Sequence, residues 1–353
     1  MTSINAMRFD FHRGVLICDE QTSMSDGFLS DVSDKIRPSI PPEISARYGT
    51  VAAIGNTGKV AVGDVLKSRF REALAARFRK ARAELGREPE TFLDLEEMAV
   101  LYNEITLATN RERVDEKLVS KFGFNWAEFI AGKYERNGET FEIKDAETVD
   151  TITGWLVNRG EPHEMQIVFG NASIMAGYDD RRGFQMFHFD QRAGYWHKVQ
   201  TAYLAEGSGR HSVDPYMYGV MENLFAAERR DGIDPVLGLT CFLTAVNAAE
   251  DHEAGVGGYF NIILVDGTKP NPERMIEIND DRSKLASLIV RARDKGFVPF
   301  ETSLDLVGAL IYRNEPFAEV YAEFMRASSD VGNMERLLRG YKVVGGKLHV
   351  PRV

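Results

Sequence analysis

The sequence predicts an α+β fold in which two antiparallel sheets are stacked between helical layers, a four-layer αββα sandwich. Three observations predict it. The opening residues alternate as a β-hairpin, with TSINAMRF and the apolar run GVLIC separated by polar residues and Gly14. One strand and two amphipathic helices follow. A set of short alternating segments then precedes two further helices and a last strand pair. The order strands, two helices, strands, two helices, strands is what two sheets covered on both outer faces require.

After the hairpin, Pro38, Pro41 and Pro42 break the pattern and mark a loop. YGTVAAI, residues 48–54, reads as a strand running into Gly55-Asn56-Thr57-Gly58. A long helix is expected from there to Glu84, with Val62, Val65, Leu66, Phe70, Leu74 and Phe78 on one face and Gly86 as its stop. Leu93 to Thr109 continues as a second helix. Residues 113–161 read as an insertion holding an aromatic cluster (Phe122, Phe124, Trp126, Phe129) and an Asn137-Gly138 turn. Strand character returns over 165–180 and continues through GFQMFHFD, a turn at Arg192-Ala193-Gly194, YWHKVQ and TAYLAEGSG, an antiparallel meander. Asp214-Pro215 and Asp234-Pro235 each read as an N-cap followed by proline in the first helical turn, with Gly232 past the first helix and His252 near the end of the second. Gly257-Gly258 leads into the strand YFNIILV, with Arg274–Ile278 as partner, and the chain turns helical again from 281. The expected organisation is one domain over 1–280 with the insertion inside it and a helical C-terminal extension over 281–353.

Composition bounds the function classes. Hydrophobic content of 44% and charged content of 27% are those of a globular protein, and the formal charge of −10 argues against nucleic acid or an anionic membrane as partner. The two cysteines, Cys18 and Cys241, lie in apolar segments and offer neither a disulfide framework nor zinc-ligand spacing, so no metal or cofactor is expected. No signal-peptide core is visible. The longest near-apolar run, Val236 to Ala249, is too short to cross a bilayer, and the expected compartment is the cytoplasm.

The chemistry is carried by the beginning of the chain. Thr2 stands behind Met1, and threonine is small enough to permit methionine removal. A free Thr2 would bring an α-amine with a pKa of roughly 7.7–8.0, able to act as general base for the hydroxyl of the same residue. Asp19 closes the second strand and Lys35 follows in VSDKI. A buried ammonium beside the hydroxyl lowers the cost of forming an alkoxide, and a carboxylate beside the ammonium keeps it charged and oriented.

That constellation of Thr2, GVLICDEQTS and SDKI resembles the start of a proteasome β-type subunit and of its bacterial ring-protease relatives. The resemblance continues through IMAGYDDRRGFQMFHFDQRAGYWHKVQTAYLAEGSGRHSVDPYMYGVMENL and LGLTCFLTAVNAAEDHEAGVGGYFNIILV, and covers roughly 2–110 and 163–280. It implies an N-terminal-nucleophile hydrolase fold and a threonine-type peptidase acting on polypeptide inside a homo-oligomeric ring, closed or open. An ATP-driven unfoldase feeding the ring is not readable from the residues.

Carried over residue by residue, the resemblance makes Thr2 the nucleophile, Lys35 its activating lysine and Asp19 the group that orients Lys35. Counted back from Asp19 and Lys35, the nucleophile falls between Thr2 and Ser3. Thr2 is favoured because only it is exposed by loss of Met1 alone. Gly55 would give its N–H to the oxyanion, Ala53 would line the substrate pocket, and Ser208 of Gly207-Ser208-Gly209 would hydrogen-bond the Thr2 amine. Gln21 stands where many β subunits have arginine. His211 and Ser212 beside Ser208 make no serine-hydrolase triad, because no nucleophile elbow surrounds them.

Two positions depart from the pattern. Glu253 replaces the usual aspartate before the Gly-Gly turn, and Val256 replaces a serine, removing a hydroxyl from the proton network. Three readings therefore stand: a threonine peptidase, an assembly protein of the same fold without peptidase activity, and a small-amide hydrolase, since fold does not fix substrate.

Overall fold

The structure, a computed structural model, describes residues 2–20, 22–23, 29–30, 35–156, 171–190, 195–223, 232–253, 256–278, 280–337, 342–344 and 347–349. The turn expected at 192–194, the Gln21 position and the strand residues expected over 165–170 lie outside them.

The N-terminal hairpin forms as the alternation dictates, from β1 (Ser3–Arg8) and β2 (Arg13–Asp19). Gly14, expected between the strands, lies inside β2 opposite Arg8, where a Cβ would stand 2.2 Å from the Phe184 ring. The proline-rich stretch holds more than a loop. Ile36–Pro38 is strand β3 and Pro42–Tyr48 is helix α1, closed by Gly49 in the left-handed region at φ 68°. Strand β4 (Val51–Thr57) follows, three residues later than the sequence suggested at each end. Helix α2 (Val60–Leu85) ends at Gly86 as expected.

Helix α3 runs Leu95–Phe122, well past Thr109, because a capping box between Asp94 and Glu97 starts it and no breaker stops it before Gly123. The stretch expected to be an insertion therefore begins inside a helix. It continues as α4 (Trp126–Ala131), the hairpin β5 (Lys133–Arg136) and β6 (Glu139–Glu142) around Asn137-Gly138, and α5 (Ala146–Leu156). Asn137 and Gly138 both have positive φ, 54° and 80°, as a two-residue primed turn requires. Val114, Leu118, Phe124 and Ile152 give this region a small hydrophobic cluster of its own.

The meander comprises β7 (Ala172–Asp179), β8 (Gly183–Asp190), β9 (Tyr195–Lys198) and β10 (Tyr203–Gly207). Helix α6 (Arg210–Asn223) begins immediately after the Gly-Ser-Gly turn, so Pro215 lies inside it and Asp214 is not its N-cap. Asp214 instead pairs with Arg210 one turn earlier, at 2.8 Å. The second Asp-Pro pair behaves as expected. Asp234 accepts from the amides of Val236 and Leu237 and opens α7 (Pro235–His252).

Strands β11 (Phe260–Asp266) and β12 (Met275–Ile278) complete the sheets, followed by α8 (Asp280–Asp294), α9 (Phe300–Val307), a π-helical turn at Gly308–Tyr312, α10 (Phe317–Arg326) and α11 (Val331–Leu337).

Two five-stranded antiparallel sheets result, ordered β10-β1-β2-β11-β12 and β9-β8-β7-β4-β3. One hydrophobic cluster draws on both, with Ile4, Ala6, Leu16 and Cys18 from the first and Ile36, Ala53, Ile174 and Met186 from the second. Because side chains alternate across a strand, the residues between these face elsewhere. Ile54, Met175 and Phe187 pack against Phe70 and Tyr102 of α2 and α3. Met7, Val15 and Ile17 pack against Phe242 and Val246 of α7 and against Leu285 and Ile289 of α8. Each such side chain contributes about 1.5–3 kcal/mol by leaving water. Residues on both sides of position 280 share this last cluster, which reaches Leu306, Leu310, Val320, Phe324 and Met334. Among the described residues, no helix is long and apolar enough to cross a membrane.

Candidate active site

The pleat of β1 decides where the first side chains go. Ile4 and Ala6 face the cluster between the sheets and Met7 faces the helices. Continued backwards, that alternation turns Thr2 toward the space between the sheets and Ser3 away from it. Thr2, 8% exposed, lines a cleft of about 860 Å³ with Thr57, Gly58, Asn171, His188, Glu206 and Ser208 among its walls. The Ser3 hydroxyl is fully buried, accepts from Asn5 Nδ2 at 2.9 Å, and lies where a Cβ on Gly209 would come within 2.4 Å.

Asp19, at the end of β2, ties the constellation together. Its Oδ1 accepts the Ser3 amide at 2.7 Å and its Oδ2 the Lys35 ammonium at 3.0 Å. Both side chains are withdrawn from water, at 0% exposure for Asp19 and 2% for Lys35. Burial pushes the Asp19 carboxyl above its ordinary value, against the pull of Lys35 and of the Ser3 and Gly257 amides. A buried ion pair is a poor stabilising device, because desolvation offsets most of its attraction. The pair is linked to the start of β1 through the Ser3 amide. The neighbouring Cys18 thiol is pushed far up by burial and by Asp19, so it stays protonated and inert.

Ser208 lies on the other side of Thr2. The Thr2 nitrogen donates to Ser208 Oγ at 3.3 Å, and Ser208 Oγ donates to the Thr2 carbonyl at 3.4 Å. The approach depends on Gly207, which has φ 93° and where a Cβ would stand 2.1 Å from the Thr2 carbonyl oxygen. Gly207→Ala is therefore expected to destabilise the protein by about 1–3 kcal/mol and displace Thr2. Urea denaturation together with reaction of Thr2 with an epoxyketone checks both effects.

Gly55 and Ala53 are not where the sequence suggested. Gly55 is paired on both sides within β4, with Ile36 and with Ile174. Asn56 sends its N–H toward β3, to the Lys35 carbonyl at 3.4 Å, so the Gly55 N–H points the other way, into the ladder with β7. Ala53 is fully buried between the sheets. The residues at the cleft are Thr57 and Gly58, three and four positions further on, and Gly58 adopts φ 91° just before α2. Glu253 ends α7, with its own N–H on the Ala249 carbonyl and its carbonyl accepting the Val256 N–H. Among the described residues its carboxylate makes no hydrogen bond to Thr2, Ser3, Asp19 or Lys35. Val256 is buried in the helix-side cluster. His211 lines the cleft beside Ser208.

Two supports escaped the sequence reading. The Gly257 amide pulls the Asp19 carboxyl down, and Gly258 is held through its carbonyl by Lys284 Nζ at 2.9 Å. Lys284, on α8, also reaches Glu250 at 3.1 Å, so a residue beyond position 280 braces the turn beside Asp19. The second support spans the sheets. His188 Nε2 of β8 meets Glu206 Oε2 of β10 at 2.9 Å, and Glu206 Oε1 accepts the Gly207 amide. Burial alone would raise the Glu206 carboxyl, but the hydrogen bond with His188 and the Gly207 amide outweigh it and hold it below its ordinary value. A depressed carboxyl stabilises the fold above its unfolded pKa and loses that contribution as pH falls through the folded value. Glu206→Gln is expected to be less stable than the parent above about pH 4.5, with the gap closing in more acidic solution. Urea midpoints across that range check it.

No family model matches the chain, and neither does any curated protein. Among solved structures, the chain is similar to Anbu (ancestral beta-subunit) from Yersinia bercovieri, with 13% identity, a TM-score of 0.49, and coverage of 83% of this chain and 94% of that chain.

Proposed function

We propose that the chain is a threonine-type N-terminal-nucleophile hydrolase, a peptidase working as a subunit of a self-assembled ring. The observation that carries this reading is the buried Lys35–Asp19 pair, linked through the Ser3 amide to the residue that opens the cleft. Once Met1 is removed, the Thr2 amine accepts the proton of the Thr2 hydroxyl, and the Oγ attacks the substrate carbonyl. Lys35 favours the alkoxide by its charge, and Asp19 keeps Lys35 in place. The Gly58 N–H takes the oxyanion role first expected of Gly55. Collapse of the tetrahedral intermediate passes the proton to the leaving amine, and water then resolves the ester on Thr2. Ser208 holds the amine while it shuttles the proton.

In this reading the two sheets and the helices on their outer faces form the four-layer αββα sandwich, 1–280 is the catalytic domain with the insertion at 113–161, and 281–353 is its extension. The ring is cytoplasmic and its substrate is polypeptide. A non-catalytic assembly role is favoured by one observation, the buried Val256, which supplies no hydroxyl beside the turn that meets Asp19. Hydrolysis of casein against a panel of small amides, with and without epoxyketone pretreatment, tests the proposal. Casein cleavage blocked by the inhibitor is expected. Cleavage of small amides alone redirects the substrate class, and no cleavage of either returns the chain to the assembly role.

A further inference from the structure

Asn171 precedes β7 and lines the same cleft as Thr2 and Gly58. It is 2% exposed, and its two polar atoms have different fates. The side-chain oxygen accepts the N–H of Lys59, the N-cap residue of α2, at 2.8 Å. A backbone N–H only donates, so this bond fixes which end of the carboxamide is oxygen and turns the NH₂ the other way. That NH₂ is buried and, among the described residues, has no hydrogen-bond partner. Among the described residues, it is the one buried polar atom left without a partner whose residue belongs to the cleft.

A buried amide donor without an acceptor is costly, and native proteins keep few of them. The surroundings show that this one is held rather than loose. Thr57 Oγ1 accepts the Ala172 amide at 3.3 Å and donates to the Ala172 carbonyl at 3.4 Å, pinning the residue after Asn171 to the strand end that carries Gly58. The Thr57 methyl would lie 3.2 Å from a Cβ on Gly207, whose other close neighbour is the Thr2 carbonyl. Thr2, Gly207, Thr57 and Asn171 thus form one continuous wall.

We infer that Asn171 is a substrate-binding donor whose side-chain NH₂ hydrogen-bonds the carbonyl oxygen under attack, a second oxyanion donor beside the Gly58 N–H. The inference rests on the hydrolase reading and deepens it. Ground-state substrate brings a carbonyl oxygen to the orphaned donor, and the bond strengthens as charge develops there. The cost of the unpartnered group in the free protein is relieved on binding.

A peptide aldehyde tests this in the full-length processed protein. The Thr2 Oγ forms a bond to the aldehyde carbon, the carbonyl π bond opens to an oxyanion, and the hydroxyl proton moves to the α-amine. Asn171→Asp keeps an oxygen for Lys59 and replaces the donor with an anion. Its affinity for the aldehyde is expected to fall by about 100- to 1000-fold at neutral pH, the range known for loss of one oxyanion donor, and the uncompensated buried anion also lowers its unfolding temperature. Asn171→Ala removes the donor without adding a charge and is expected to lose affinity to a similar extent. Lys59→Pro removes only the capped N–H, at a φ of −79° that proline adopts, and is expected to bind as the parent does. Unchanged affinity in either Asn171 variant overturns the inference, and so does an equal loss in Lys59→Pro, which would make Asn171 a helix cap only. Thr2→Ala runs in parallel. If it binds the aldehyde as tightly as the parent, the nucleophile assignment fails, while the contrast between Asn171→Asp and the parent still decides whether Asn171 holds a carbonyl.

Discussion

Thr2→Ala is expected to abolish peptide hydrolysis, a loss of at least about 10⁴-fold, because it removes the only group that bonds to substrate. The fold should survive. The strand begins at Ser3, and two of the contacts that hold this end are made by backbone atoms, the Ser3 amide on Asp19 and the Thr2 nitrogen on Ser208. Thr2→Ser keeps both the amine and a hydroxyl and is expected to retain turnover. Kinetics on a fluorogenic peptide, with circular dichroism as the control for folding, separates the two variants. A Thr2→Ala protein that cleaves peptide as the parent does would remove Thr2 from the chemistry.

Lys35→Met is expected to be the most destabilising single change in the site, by about 3–5 kcal/mol, since it leaves the Asp19 carboxylate buried without its counter-charge. Asp19 is already pushed upward by burial, so losing the ammonium drives it further toward the protonated form. Combining Lys35→Met with Asp19→Asn should recover much of the stability. The side-chain oxygen of asparagine still accepts the Ser3 amide, and no charge remains to be desolvated. Activity is expected to stay lost in both proteins. Stability and catalysis would then part company at one pair of residues, as a functional rather than structural ion pair requires. Denaturant unfolding of the four proteins in this cycle, with peptidase assays on each, measures the separation.

The sequence carried the frame because local rules agreed with one another. Alternation around Gly14, the Asn137-Gly138 turn and the Asp234 cap all formed as their residues dictate. Where it misled, a side chain had found a distant partner. Asn56 and Thr57 read as loop residues, but Asn56 donates to Tyr102 and Ser173, and Thr57 bonds Ala172, so both remain in the strand. That extension carried the cleft edge from Gly55 to Gly58. Asp214 read as a cap because it precedes proline, yet Arg210 one turn earlier engages it within the helix. The supports of the site were not legible at all. The Gly257 N–H is a backbone group with no signature in the sequence. Asn171 acquires its place from a bond to Lys59, 112 positions away. Lys284 sits on a helix whose periodicity was visible but whose packing target was not.

The central claim is that the chain functions with Thr2 as its first residue and that this residue reacts through both its amine and its hydroxyl. Tandem mass spectrometry of the N-terminal peptide, after exposure of the full-length protein to an epoxyketone, tests it most directly. The expected product lacks Met1 and carries one inhibitor joined to Thr2 through both nitrogen and oxygen. An unmodified peptide that still begins with Met1 would contradict the account.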